Sequence, residues 1–194
     1  MKYWMAGCWA LLLVACGDKK EEKADGTSTE PFQAIAFIRS QVRDVDTSLY
    51  QIRKVVSFDG KADTSVITRE QFRQEAAPFL TLPDVASKDL RDDYKEENLY
   101  DETLKKVVLF YTAKDPEAAL QREQVIIDPD QGGGLVKTMI FDFYDKQGGY
   151  IVHRNLVWAN NDHFSVSESL PGPGGTERIR RTTVSWNDFT RDSQ

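Results

Sequence analysis

Phe32, Ile35, Ile38, Val42 and Val45 recur at spacings of three and four, leaving Gln33, Arg39, Gln41 and Arg43 on the other face. That period gathers the apolar set into one stripe of a helix, and Thr29-Glu30-Pro31 just before it is a start signal. The stripe is too short for a coiled coil, so it is assigned to a core. The period then changes to two. Tyr50, Ile52, Val56 and Phe58 alternate with Gln51, Arg53 and Ser57, with Lys54 interrupting the apolar side. Asp59-Gly60 suits a two-residue hairpin turn, whose central positions need positive φ, and Lys61–Ile67 reads as the returning strand. Thr68-x-x-Gln71 is a capping box with Ile67 placed to staple onto Phe72, and Pro78 limits the helix it opens.

Residues 80–99, with Pro83 and crowded charge from Lys88 onward, read as a long surface loop holding one turn of helix. Six strands follow, over 104–112, 120–128, 135–144, 150–158, 164–170 and 176–186, each separated from the next by Pro, Gly, Asn or Asp. In the third, Leu135, Lys137, Met139, Phe141 and Phe143 fall on one face, and Val136, Thr138, Ile140, Asp142 and Tyr144 on the other. Tyr150, Val152, Leu156 and Trp158 share a face interrupted by Arg154, and Phe164, Val166 and Leu170 oppose Ser165, Ser167 and Ser169. The fold class is α+β: one or two N-terminal helices packed on a curved, half-barrel-like antiparallel meander.

The chain starts differently. Lys2 precedes a mostly apolar run of about thirteen residues, shorter than the roughly 20 that span a bilayer, and the charged string Asp18-Lys19-Lys20-Glu21-Glu22-Lys23 follows. Basic start, short apolar run and small residue describe a secretory signal peptide over residues 1–15. Leu13-Val14-Ala15-Cys16 resembles the lipobox of bacterial lipoproteins, which implies cleavage before Cys16 and lipid on its thiol and new amino group. Residues 16–28, with no large apolar side chain, then form the lipidated cysteine and a flexible charged tether, and 29–194 form a single domain. Lys20-Glu21-Glu22 is similar to the surface-export signal of Bacteroidetes-type lipoproteins. Lipobox, tether, Phe-led helix, Asp-Gly hairpin, capped helix and meander together resemble small uncharacterised lipoproteins of Bacteroidetes, and in element order also the half-barrel lipoprotein carriers. The resemblance implies a lipid anchor in the cell envelope, at the outer membrane, on its periplasmic face or the cell surface. It implies no activity.

Composition narrows the chemistry. A net charge of −6 lacks the basic field of a general nucleic-acid binder. Of two cysteines, Cys8 leaves with the signal peptide and Cys16 carries lipid, so the domain has neither a disulfide nor a thiol nucleophile. His153 and His163 lie in successive strands, too far apart along the pairing to share a metal, and no Ser-His-acid order accompanies them. Gly132-Gly133-Gly134 and Gly172-Pro173-Gly174-Gly175 lack the Lys-Ser/Thr and helix of a phosphate loop. Asp128-Pro129-Asp130 lacks the later acid of a calcium loop. No catalytic residue, metal ligand or cofactor motif is assigned.

Arg178 and Arg180 share a face with Trp186, and arginine over an aromatic floor can hold an anionic group. Arg178, Arg180, Trp158 and Trp186 are therefore the candidate binding residues. The leading reading is a membrane-anchored, non-catalytic binding module for an amphiphilic ligand or a partner protein of the envelope. A structural or assembly accessory of an envelope complex is the alternative, ahead of a hydrolase.

Overall fold

The computed structural model describes residues 30–131, 133–147 and 150–186. The signal peptide, Cys16 and the tether lie outside the described residues. Helix α1 (Ala34–Thr47) is followed by strands β1 (Ile52–Phe58) and β2 (Lys61–Ile67) and helix α2 (Arg69–Leu80). A short 3-10 turn, Arg91–Asp93, leads into β3 (Tyr94–Asp101), β4 (Lys106–Ala113), β5 (Leu120–Asp128) and β6 (Leu135–Gln147). β7 (Tyr150–Ala159), β8 (His163–Pro171) and β9 (Glu177–Ser185) complete the sheet. Among the described residues, nine strands form one open antiparallel sheet in the order β2-β1-β9-β8-β7-β6-β5-β4-β3. The fold is α+β, with an unclosed sheet.

Local sequence accounts for the N-terminal elements, with three corrections. Helix α1 begins at Ala34, later than the Thr29-Glu30-Pro31 signal, because Phe32 stays outside it and donates its N–H to Tyr111 Oη at 2.9 Å. Gln41 was expected to face outward but is buried, since Ala34, Ile38, Gln41 and Val45 follow helical spacing. Its Oε1 accepts from the Asn161 backbone N–H at 3.1 Å, so its polarity is satisfied. Asp59 and Gly60 adopt φ of 52° and 73°, the turn expected of them. Thr68 Oγ1 accepts from Gln71 N at 3.2 Å while Gln71 Oε1 accepts from Thr68 N at 2.9 Å, closing the capping box. α2 nevertheless runs through Pro78 to Leu80, past the expected limit. Proline removes one helical bond there, but Phe79 must reach the core and is fully buried.

The segment expected as a loop contains β3. Its charge reflects an edge position, where only Tyr94 needs burial and the remaining residues can face water. The register also corrects one face assignment. Val125 pairs with Met139 and Ile126 with Thr138, but Ile127 pairs with Val136, so Lys137 is an extra residue. This bulge reverses parity, burying Val136 rather than Leu135.

One face of the sheet is packed against the helices. Phe79 of α2 lies 5.1 Å from the Trp158 ring and 5.3 Å from Phe164, and Phe72 lies 5.4 Å from Trp186. Edge-to-face contacts of this kind add specific geometry to the burial of large aromatic surfaces. Ile35, Ile38, Val42 and Val45 of α1 complete the same core.

Candidate functional site

The four candidate binding residues do not form one site. Trp158 is 0% and Trp186 2% exposed, both inside the aromatic core. Arg178 and Arg180 lie toward the other end of β9, six or more residues from Trp186, which at about 3.3 Å per residue is roughly 20 Å. An aromatic floor does exist beneath them, but it is Phe58 of β1: the Arg178 guanidinium is 4.2 Å and that of Arg180 5.1 Å from its centroid. The register produces this, because Phe58 pairs with Arg180 on the same face. Acids occupy both guanidinium groups. Arg178 makes a two-pronged pair with Asp59, which holds the Asp59 carboxyl below its ordinary range. Arg180 Nη1 is 3.9 Å from Glu168 Oε2, whose other oxygen accepts from Arg154 Nε at 3.0 Å. The strip is charge-balanced rather than an open anion seat.

The opposite face of the sheet is covered by no element among the described residues. Pairing carries two complete rows across it. One runs Glu97, Phe110, Gln124, Ile140, Val157, Ser165, Thr183, Val55 and Thr64, from β3 through to β2. The next contains Arg122, Asp142, Asn155, Ser167, Arg181 and Ser57. The β4–β7 part is therefore largely apolar, through Val108, Phe110, Ile126, Ile140 and Val157, whereas the β8–β1 part carries hydroxyls. Side chains alternate accordingly along β5: Glu123 and Val125 are buried on the helix side, Gln124 and Ile126 half-buried on the open side.

Asp142 is the fixed charge of this open face. Its Oδ2 accepts from Arg122 Nε at 3.1 Å and Nη2 at 2.8 Å, and its Oδ1 from Asn155 Nδ2 at 2.9 Å. His153 Nε2 stands 3.8 Å from the same Oδ1, its ring stacked on Tyr144 at 4.8 Å between centroids. Ser167, beside Asn155, accepts from Arg181 Nε at 3.0 Å. These partners hold a rigid polar row on the sheet. His163 lies at the start of the neighbouring strand β8, bonded to its neighbour Asp162 at 3.0 Å. Asp128 is engaged by cationic side chains: Lys106 Nζ lies 3.1 Å and Lys137 Nζ 3.8 Å from its Oδ2. Among the described residues no group of three or more His, Cys, Asp or Glu is arranged to hold a metal.

Pairing patterns alone did not single out Glu123. It sits between Tyr111 and Phe141 in the helix-side row and is 1% exposed. Its Oε1 is buried without a hydrogen-bond partner. Burial, reinforced by the negative charge of Asp84, pushes its carboxyl up to about 8. Burial likewise pushes the Tyr111 hydroxyl up to about 12. An acid at an inward position of an otherwise apolar strand was the available signal. A cavity of about 580 Å³ opens at the sheet end between the β4–β5 connection and the β6–β7 hairpin, lined by Gln121, Tyr144 and Ile151 among others.

No protein-family model matches the chain, and neither a curated protein nor a solved structure matches it.

Proposed function

We propose that the protein is a membrane-anchored, non-catalytic binding module that presents the open face of its sheet to a partner protein. Lipid on Cys16 holds it at the outer membrane, the charged tether spaces the domain from the surface, and the half-barrel-like curvature belongs to the same reading. The observation that carries it is the contrast between the two faces. The helix side is filled by Trp158, Phe164, Phe72 and Phe79, each 0% exposed, while Phe110, Ile126, Ile140 and Val157 on the other side are only half-buried. An amphiphile carrier would instead enclose a large cavity between helices and sheet, whereas the groove beside α2, lined by Pro78, Leu82, Phe143 and Leu156, is about 300 Å³ and open to solvent. A filled core with an open, partly apolar face favours protein contact, and the role of an assembly accessory in an envelope complex is the second reading it favours.

Photo-crosslinking side chains placed singly at Ile140, at Phe110 and at exposed Glu70 on the helix side test this in intact cells. Discrete adducts of one mass from the first two positions, and none from Glu70, are expected. Equal labelling at all three, or adducts with lipid only, would overturn the partner-protein reading.

A further inference from the structure

The sheet ends on β3 at one side and on β2 at the other. An open edge offers unpaired backbone groups to another chain, and proteins blunt such edges with charge, proline or bulges. β3 is blunted by Lys95, Glu96, Glu97 and Asp101. β2 is less blunted: it pairs with β1 in unbroken register over all of Lys61–Ile67, contains no proline, and carries mostly small side chains, with its two charges, Lys61 and Asp63, at residues whose backbone groups face β1. Every residue from Lys61 to Val66 is exposed.

The hairpin turn fixes which backbone groups face outward. A two-residue turn at Asp59-Gly60 makes Phe58 and Lys61 the hydrogen-bonded pair that closes the hairpin. Alternation then directs the N–H and C=O of Asp63 and Ser65 toward β1, and those of Ala62, Thr64 and Val66 away from it. No hydrogen bond among the described residues engages these outward groups.

We propose that β2 is a self-pairing edge, at which two copies of this chain join antiparallel about a two-fold axis passing through Thr64. In that register Thr64 faces Thr64 and Ala62 faces Val66, so every outward donor and acceptor of both strands finds a partner. Asp63 then faces Ser65 and Lys61 faces Ile67, and no like charges oppose each other. Moving the axis to Asp63 sets Asp63 against Asp63, and moving it to Ser65 carries Ala62 past the end of the partner strand. Sequence and register are thus self-complementary at one position, as a closed two-fold contact requires. The axis is normal to the sheet, so both helical layers lie on one side. The hydroxyl-bearing parts of the two open faces meet at the centre of a continuous sheet.

Site-specific disulfide trapping of the full-length chain in detergent tests the register. Hydrogen-bonded antiparallel pairs hold Cα atoms about 5.5 Å apart, within disulfide reach. Thr64→Cys should give at least tenfold more linked homodimer than Ser65→Cys alone, and an equimolar mixture of Asp63→Cys and Ser65→Cys should link to each other. Thr64→Pro removes one outward donor, which an edge strand tolerates, and should lower the dimer fraction by light scattering while the circular dichroism spectrum stays that of the folded chain. Linkage at Thr64→Cys no greater than at Ser65→Cys overturns the proposal. So does a wild-type chain that remains monomeric at high concentration, or a Thr64→Cys chain in membranes that links to a different protein. The open-face reading does not depend on these outcomes, since its crosslinks are read at Ile140 and Phe110.

Discussion

Glu123 makes the stability of this domain depend on pH in the direction opposite to ordinary surface carboxylates. Its carboxyl has an unfolded value of 4.5 and a folded value raised to about 8 by burial and by Asp84. Below pH 4.5 the group is protonated in both states and contributes no pH dependence. Between the two values the unfolded chain loses the proton and the folded one keeps it, so the unfolded state binds fewer protons and stability falls as pH rises. Each pH unit in that window costs about 1.4 kcal/mol, for a total on the order of 4–5 kcal/mol by pH 8, above which the loss levels off. A residue 1% exposed needs no discount for solvent screening. Glu123→Gln keeps the shape and removes the titration. Equilibrium urea unfolding of both chains at half-unit steps from pH 5 to 9 reads the difference, in which groups common to both cancel. The Gln chain should gain on wild type steadily up to about pH 8 and hold a constant lead above it. Parallel curves across the window would show that Glu123 is solvated or paired in the folded protein, and the buried-acid argument would fail.

Three further outcomes are expected. Phe79→Ala removes the ring that contacts Trp158, Phe141 and Phe164 and should destabilise by about 3–5 kcal/mol in the same unfolding assay. Gly60→Val meets no atom within 4 Å, so its cost should be backbone strain alone at φ +73°, about 1–3 kcal/mol; an unchanged melting curve would remove the turn from the account. On the proposed anchor, Cys16→Ala should leave an uncleaved precursor that takes up no labelled palmitate, and a mutant still labelled and cut at the same place would refute it.

What could be read along the chain was local. The Asp59-Gly60 turn, the Thr68–Gln71 box and the stripe of α1 depend on residues within a few positions of one another, and the structure contains all three. Polarity at one residue was a poorer guide than spacing. Gln41 lies on the buried stripe because Asn161, far along the chain, supplies its hydrogen bond. β3 is illegible in the sequence for a related reason: an edge strand has one neighbour and little burial, so its charges leave no apolar alternation. The bulge at Lys137 is a mismatch between two strands and has no signature in either one.

The site depended still more on pairing. Phe58 lies beneath Arg178 and Arg180 because β9 pairs with β1 on one side and β8 on the other, and Trp186 is kept away from them by the length of β9 itself. Alternation in β5 to β9 established that each strand has two faces. It could not establish which face the helices occupy, because both carry apolar residues: Phe141 and Leu156 on one, Ile140 and Val157 on the other. The choice was made by volume. Phe72 and Phe79 need deep, ring-lined space, and the row of Trp158, Phe164 and Val184 supplies it, while the row of Ile140, Val157, Ser165 and Thr183 is shallower and left open.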